Sequence, residues 1–282
     1  PEETAQRIER AELVVSNKVV LDREILQRSS RLKLICIAAT GTNNVDLNAA
    51  REQGIRVSNV AGYSTSSVVQ QVFAMILGLT TRQAEYTQAT QQGRWQQSGQ
   101  FCLLDFPFHE LDGKRMGIIG YGGLGRAVAR VAEAFGMEVM LCQRPGGPAQ
   151  SGRVPLDQLL PQVDILSLHC PLTPETQGLI AGQELAAMKS DALLINCARG
   201  GVVDEVALAN ALRTGQLGGA GVDVLTTEPP TAGNPLLEPG IPNLILTPHI
   251  AWASIESRQR LVDEIARNIQ AFHAGGERNI VV

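Results

Sequence analysis

Four side chains that could carry out proton transfer and bind a carboxylate follow predicted strands in the second half of the chain: Arg199, Asp223, Glu228 and His249. Ligands of open α/β sheets bind outside the carboxyl ends of the strands, so we expect these distant residues to meet there. A histidine, with an unperturbed pKa of about 6.5, can deliver a proton to a carbonyl oxygen near neutral pH. A carboxylate partner fixes the imidazole ring, and an arginine binds a substrate carboxylate through two hydrogen bonds. These residue types predict proton delivery to the oxygen of a carbonyl compound that carries a carboxylate, as a hydride transfer to that carbonyl would require.

Each of these residues also fits a purely structural role when it is considered alone. His249 fits a capped core position, Glu228 a turn before two prolines, and Arg199 a surface ion pair. Their joint position after strand ends, downstream of a glycine-rich turn, favours a catalytic site. Among the other histidines, His169 also follows a strand, and we expect its backbone to approach a cofactor; His109 and His273 lack this context.

The glycine-rich turn is Gly120-Tyr-Gly-Gly-Leu-Gly125, a complete G-x-G-x-x-G. It lies between a predicted strand at 116–119 and an alanine-rich predicted helix at 126–135, and a second strand follows at 137–142. This arrangement is typical of a dinucleotide-binding unit, in which the helix N-terminus favours the pyrophosphate. Gly120 permits the tight turn, Gly122 the approach of the pyrophosphate, and Gly125 close packing of the helix. A flexible loop is the alternative, which the flanking pattern disfavours.

The rest of the chain alternates between predicted strands and helices, which indicates parallel α/β sheets. Before the glycine-rich turn, predicted strands lie at 13–16, 34–38 and 55–58, and predicted helices lie at 2–12, 22–27 and 47–53. After it, predicted strands lie at 163–169, 192–196, 219–224 and 244–246, and predicted helices lie at 156–160, 205–214 and 254–272.

A long predicted helix at 67–92 is apolar in its first half and rich in glutamine in its second half. Such a helix suits a crossing from one domain to the next. The segment after it, 95–108, is irregular and apolar. It fits either a subunit contact or local packing under a loop.

The composition narrows the functional classes. The 282 residues are 44% hydrophobic and 18% charged with a net charge of −4, as expected of a soluble globular protein without affinity for nucleic acid. No apolar run is long enough for a transmembrane helix. The five cysteines have no metal-binding spacing, so we expect free thiols in a reducing cytoplasm and no metal site.

The motifs together resemble the D-isomer-specific 2-hydroxyacid dehydrogenases. The resemblance rests on the glycine-rich turn and on three further stretches: Asn196-Cys-Ala-Arg-Gly-Gly-Val-Val-Asp204, Gly221-Val-Asp-Val and Thr247-Pro-His-Ile. It covers nearly the whole chain. Two shorter stretches, 101–106 and 248–254, look most similar to glycerate dehydrogenases, also called hydroxypyruvate reductases.

The resemblance implies two domains. They are a Rossmann domain at 82–249 and a flavodoxin-like substrate domain formed by 1–67 with 255–282, connected by 68–81 and 250–254. It also implies a homodimer, which favours the 88–110 region as the subunit interface. The family begins with a strand and helix absent from this sequence, so we expect a fragment or a chain whose first residues are missing.

The resemblance also implies roles for individual residues. His249 is the acid/base, Glu228 its partner, and Arg199 the substrate-binding arginine. The substrate carboxylate is held by backbone amides of the turn at Thr40 and Gly41, and Asp223 contacts the nicotinamide carboxamide. The cofactor contacts implied are Val68, Gly120, Tyr121, Gly122, Gly123, Leu124, Gly125, Gln143, Arg144, His169, Cys170, Pro171, Thr176, Cys197, Ala198, Asp223 and Ala251.

One departure from the family concerns the choice between NAD and NADP. The acid expected after the second Rossmann strand, which would bind the adenosine ribose, is replaced by Gln143, and Arg144 follows it. No carboxylate lies between Val139 and Gln150. Because an arginine here can pair with a 2′-phosphate, we expect NADP to be accepted.

We therefore expect an NAD(P)-dependent enzyme that reversibly reduces a small 2-keto acid, with hydroxypyruvate or glyoxylate favoured. One alternative is a dinucleotide-sensing, corepressor-like interaction protein on the same fold, although the sequence has no long disordered tail or basic stripe. Another is a reductase for larger substrates such as phosphoglycerate. The turn at 39–44 has no basic residue, which disfavours that reading.

Overall fold

The computed structural model describes residues 2–282, which form two compact units. The first unit contains residues 2–64 together with Ala253–Val282, and the second is Thr65–Trp252. The long apolar helix that the sequence suggests as a domain connection belongs to the second unit.

The strands, in chain order, are β1 (Leu13–Ser16), β2 (Leu34–Ile37), β3 (Arg56–Ser58), β4 (Arg115–Ile119), β5 (Glu138–Leu141), β6 (Ile165–Leu168), β7 (Leu193–Asn196), β8 (Gly219–Val222) and β9 (Leu244–Leu246). The helices are α1 (Glu2–Ile8), α2 (Arg23–Arg28), α3 (Leu47–Glu52), α4 (Thr65–Thr80), α5 (Gln83–Gln91), α6 (Arg94–Ser98), α7 (Gly123–Ala134), α8 (Leu156–Leu159), α9 (Gly182–Ala187), α10 (Glu205–Arg213) and α11 (Ile255–His273). A 3-10 helix lies at Pro235–Leu237.

The first unit has a parallel sheet in the order β1-β2-β3. The central strand β2 is fully buried because it is covered on both faces. Asp22 and Asp46 begin α2 and α3 by accepting hydrogen bonds from backbone amides in the first helical turn, at 3.0 Å and 2.8 Å. These caps satisfy amides that have no partner within the helix.

The second unit has a six-stranded parallel sheet in the order β5-β4-β6-β7-β8-β9. The chain goes from β4 to its neighbour on one side, β5, and then crosses to β6 on the other side. The carboxyl ends of β4 and β6 therefore form a switch point, where open α/β sheets bind ligands. The predicted α/β class with parallel sheets is confirmed.

Helix α4 packs against β8, and small residues allow this close approach. A Cβ at Gly221 would lie 2.8 Å from the Met75 Cβ, and a Cβ at Gly78 would lie 3.1 Å from the Ile245 Cδ1. Val72, Met75 and Ile76 are fully buried in this layer. Gly221 of β8 and Gly78 of α4 thus bring the helix onto the sheet.

The single helix predicted at 67–92 is wrong, because the chain forms α4 and α5 with a break between them. Arg82 adopts a left-handed backbone conformation with φ of 53°, which ends the helical path. The hydroxyls of Thr80 and Thr81 donate to the carbonyls of Ile76 and Leu77 one turn back. Such bonds weaken a helix, and these β-branched residues disfavour its continuation.

Two smaller differences from the predicted elements are present. The first helix ends at Ile8, although the sequence favours its continuation to Glu12. The sequence analysis also missed two short helices, α6 and α9, and α6 occupies the start of the 95–108 segment that was predicted to be irregular. No helix among residues 2–282 is both long enough and apolar enough to span a membrane.

Candidate active site

The glycine-rich turn connects β4 to α7, and two of its glycines are required by close contacts. Gly120 has φ of 92°, and a Cβ there would lie 2.5 Å from the His169 carbonyl carbon. A Cβ at Gly125 would lie 2.1 Å from the Gly120 oxygen. A Cβ at Gly122 would meet nothing within 4 Å, and no side chain caps α7. The helix N-terminus and the open space beside Gly122 therefore fit a pyrophosphate.

The strand ends on both sides of this turn carry further predicted cofactor residues. After β5, Gln143 donates its amide to the Gly147 carbonyl at 3.2 Å, while Arg144 is exposed. After β6, the hydroxyl of Thr176 donates to the Pro171 carbonyl at 2.6 Å and shapes the loop that starts at buried Cys170.

His169 is held as a neutral imidazole. Its Nε2 lies 2.9 Å from the Ser167 hydroxyl, and its buried Nδ1 has no partner among the residues that the structure describes. Burial lowers the pKa of His169 to about 4 because the charged form loses its hydration. The side chain therefore carries no charge at neutral pH.

The Arg199 turn follows β7 and is organised by Asn196, whose role the sequence analysis missed. The buried Asn196 side chain accepts from the Ala198 amide at 3.1 Å and donates to the Arg199 carbonyl at 3.1 Å. Arg199 itself donates to the Ala198 carbonyl at 2.7 Å. An asparagine directly before a polar turn was the available signal, since its amide bonds readily to nearby backbone.

Asp223 is the buried centre of the neighbouring turn. One carboxylate oxygen accepts from the Thr247 hydroxyl at 2.5 Å and from the Ile250 amide at 2.9 Å, and the other accepts from the Ala251 amide at 2.9 Å. Its backbone oxygen accepts from the His249 amide at 2.8 Å. These four bonds hold His249 in a left-handed conformation with φ of 55°. Contact between Asp223 and a nicotinamide stays a prediction.

Glu228 and His249 form a close pair. The His249 Nδ1 lies 2.6 Å from one Glu228 carboxylate oxygen, and the other oxygen accepts from the Leu225 amide at 2.9 Å. Both side chains are about one-third exposed, at 33% for Glu228 and 27% for His249. A carboxylate at Nδ1 fixes the ring and leaves Nε2 as the atom that can exchange a proton with a ligand.

Glu205 orders the loop that carries Glu228, and the sequence analysis missed this contribution. One of its oxygens accepts from the Thr226 amide at 2.6 Å and from the Thr226 hydroxyl at 3.0 Å. Its other oxygen accepts from the Asn234 side chain at 2.6 Å. Glu205 lies far from these partners in the sequence, so no local sequence pattern indicates the hydrogen bonds.

The structure brings the predicted catalytic residues to one edge of the second sheet. Gly200 packs directly on the Leu225 backbone, which places the Arg199 turn against the Glu228 loop. The Asp223 amide donates to the Asn196 carbonyl at 2.9 Å, so the turns that follow β7 and β8 are coupled. The predicted cofactor residues Val68, Tyr121, Leu124, Cys197 and Ala251 belong to one apolar cluster in this unit.

Thr40 and Gly41 follow β2 in the first unit. The Thr40 hydroxyl donates to the Val60 carbonyl at 2.9 Å, and its own carbonyl accepts from the Asn59 side chain at 2.7 Å. These bonds anchor the turn to the residues after β3.

In the described part of the chain, no group of three or more His, Cys, Asp or Glu side chains is placed to hold a metal ion.

Comparisons with known proteins indicate the family of this chain. Residues 73–251 match the family described as D-isomer specific 2-hydroxyacid dehydrogenase, NAD binding domain. The chain is 44% identical over 281 residues to glycerate dehydrogenase from Methylorubrum extorquens, covering 100% of this chain and 88% of that protein. It is 40% identical over 284 residues to hydroxypyruvate reductase from Blautia hydrogenotrophica, covering 99% and 88%.

A solved structure with the same architecture is D-lactate dehydrogenase from Aquifex aeolicus, complexed with NAD and lactic acid. Its TM-score with this chain is 0.85 at 32% sequence identity, and the match covers 99% of this chain and 89% of the other.

Proposed function

Because this chain belongs to the D-isomer-specific 2-hydroxyacid dehydrogenases, we propose that it reversibly reduces a small 2-keto acid to the D-2-hydroxy acid. The proposed substrates are hydroxypyruvate and glyoxylate, and the proposed reductant is NADH or NADPH. The observation that carries this proposal is the His249–Glu228 pair, 2.6 Å apart, beside the turn that presents Arg199.

The catalytic residues have separate tasks in this proposal. His249 holds at Nε2 the proton that the keto oxygen receives, and Glu228 orients the ring and stabilises its charged form. Arg199 binds the substrate carboxylate through its planar, permanently charged guanidinium. Asp223 acts through the backbone of the turn that carries His249, as well as on the nicotinamide side.

The same family membership supports the proposed binding residues. The backbone amides at Thr40 and Gly41 hold the substrate carboxylate, and the turn at 39–44 has no basic side chain to select a phosphorylated substrate. The glycine-rich turn and the loops after β5, β6 and β7 hold the dinucleotide, which supplies the hydride. The five free thiols, four of them buried, suit a reducing cytoplasm.

We also propose a homodimer through the 88–110 region. This segment is held against the first half of α5: the Tyr86 and Phe106 rings lie 5.1 Å apart, and the Tyr86 hydroxyl donates to the Phe106 carbonyl at 2.9 Å. It nevertheless exposes large apolar side chains, with Phe101 93% and Leu104 77% exposed. An ordered segment that exposes apolar surface fits a subunit contact.

Sedimentation of wild-type protein and a Phe101→Glu, Leu104→Glu double variant tests the dimer. The wild type is expected to sediment as a dimer and the variant as a monomer. A monomeric wild type, or a fully dimeric variant, contradicts this interface.

The function is tested first by steady-state oxidation of NADH and NADPH in the presence of hydroxypyruvate, glyoxylate or pyruvate. Rapid turnover of a keto acid is expected. Dinucleotide binding without turnover of any of them contradicts the proposed substrates and favours the dinucleotide-sensing alternative.

His249→Ala tests the proton-transfer role. Turnover is expected to fall by about 10²- to 10⁴-fold, the usual contribution of general acid–base catalysis, while dinucleotide binding persists. His273→Ala is the matched control, since it removes an exposed histidine at the end of α11. Equal turnover in the two variants excludes His249 from the reaction.

Arg199→Ala tests substrate binding separately. It is expected chiefly to raise KM for the keto acid, because it removes the guanidinium that would bind the substrate carboxylate. Normal kinetics in this variant would remove Arg199 from the site.

A further inference from the structure

Two arginine side chains lie against the ring of Tyr121, the second residue of the glycine-rich turn. The Arg153 guanidinium carbon is 5.0 Å from the ring centroid, and that of Arg126 is 5.7 Å away. A guanidinium stacks favourably on an aromatic face at such distances. Tyr121 thus holds two cationic groups beside the turn that fits a pyrophosphate.

The backbone brings Arg153 back to the carboxyl end of β5, although it is distant in sequence from that strand. Val154 forms a parallel bridge with Cys142: the Val154 amide donates to the Leu141 carbonyl at 2.9 Å, and the Gln143 amide donates to the Val154 carbonyl at 2.8 Å. The Arg153 side chain also lies 3.5 Å from the Cys142 carbonyl. Its position is therefore that of a residue at the strand end.

The positive charge in this region is not neutralised by an ion pair. Among residues 2–282, no carboxylate forms a salt bridge with Arg126, Arg144 or Arg153. Position 143, where the family usually has an acid, is a glutamine whose amide donates to the Gly147 carbonyl. The nearby acid is Glu175, which lies across from Gly146 and interacts with Arg144 only through space.

We propose that Arg153, together with Arg126, binds the 2′-phosphate of NADPH and so selects this cofactor over NADH. The inference rests on the dinucleotide site of the proposed function. A phosphomonoester carries up to two negative charges, and a guanidinium can bind two of its oxygens at once. The Tyr121 ring fixes Arg153 in advance, which lowers the entropic cost of that contact. Arg144, which the sequence pattern indicates, is exposed and contributes mainly its charge.

Calorimetry with fragments of the dinucleotide tests the proposal without any turnover. The ligands are adenosine 2′,5′-bisphosphate, which has the 2′-phosphate, and adenosine 5′-monophosphate, which lacks it. Arg153→Ala is expected to lower the affinity for the bisphosphate by about tenfold or more, the usual effect of losing a charged hydrogen bond. It is expected to lower the affinity for the monophosphate by less than about twofold.

Lys114→Ala is the matched control because it removes a positive charge directly before β4, at the end of the sheet opposite to the proposed site. It is expected to leave both affinities unchanged. Arg153→Lys keeps the charge but loses the planar fork, so it should retain only part of the preference. In the wild-type protein, added salt should lower the affinity for the bisphosphate more steeply than the affinity for the monophosphate.

Several results would overturn the proposal. The first is that the wild type binds the two nucleotides with equal affinity. The second is that Arg153→Ala weakens the binding of both nucleotides equally, and the third is that this variant binds the bisphosphate as tightly as the wild type does. Failure of the proposed reaction is distinguishable, because selective loss of bisphosphate binding supports the role of Arg153 even if no keto acid is reduced. Conversely, turnover with NADH by a protein that does not prefer the bisphosphate would support the proposed reaction and refute the selection of NADPH by Arg153.

Discussion

Substitution of Gly200 by alanine is expected to damage the active site through the backbone alone. A Cβ at this position would lie 1.9 Å from the Leu225 oxygen, 2.1 Å from the Leu225 carbonyl carbon and 2.5 Å from the Thr226 nitrogen. Ordinary contacts begin at 3.4 Å, so the two loops must separate by about 1.5 Å. Backbone atoms cannot rotate away as a flexible side chain can.

This displacement affects both catalytic turns. The Leu225 amide donates to Glu228, which contacts His249, while Arg199 immediately precedes the substituted residue. Overpacking typically costs about 1–3 kcal/mol. In a unit of this size, each kcal/mol lowers Tm by about 2–4 °C, so a fall of about 2–12 °C is expected. Misplacement of catalytic groups by about 1 Å can cost on the order of 100-fold in rate, and kcat/KM should fall accordingly.

The matched control is Gly182→Ala, the same substitution at the first residue of α9. A Cβ there meets nothing within 4 Å, so Tm should stay constant or rise slightly as the unfolded chain loses entropy. Thermal unfolding and steady-state kinetics of both variants provide the comparison. Gly200→Ala with the Tm and kcat/KM of the control would refute the steric reasoning. A lower Tm with normal kinetics would refute only the coupling to the catalytic residues.

Two further predictions follow from buried titratable groups. The folded-state pKa of His169, about 4, lies below the unfolded value of about 6.5, so its contribution to stability is present above pH 6.5 and is lost as the pH falls. The free energy of unfolding should fall by on the order of 2 kcal/mol between about pH 7.5 and about pH 5. Urea unfolding of His169→Gln should show a smaller fall over the same range. An unchanged pH dependence in that variant contradicts this prediction. Burial raises the pKa of the Cys197 thiol far above its usual range, so a thiol reagent at about pH 8 should label at most Cys102 in the folded protein. Rapid labelling of Cys197 before unfolding would show that the thiol is accessible.

The sequence by itself indicated the fold class and the family, and both are confirmed. It also predicted the positions of the strands and of the polar residues after them. These features are local: an apolar run bounded by glycines or polar turns forms a buried strand, and the chemistry of a strand end depends on the residues that follow it. The glycine-rich turn was readable because the spacing of its three glycines is a local pattern, although the contact that excludes a side chain at Gly120 is with the distant His169 backbone. Which residues bind substrate and cofactor stays a prediction.

Only the tertiary structure decided the contacts between distant segments. The break between α4 and α5 lies at Arg82, whose backbone is left-handed, and hydrophobic periodicity alone does not locate such a break. The bonds from Glu205 to the 226–234 loop, and the position of Arg153 over Tyr121, join residues that no local spacing relates. Asp223 shows the same limit: its place after a strand was readable, but the bonds to the 247–251 turn were not. Local sequence patterns restrict backbone conformation, whereas long side chains reach partners that only the folded chain brings near.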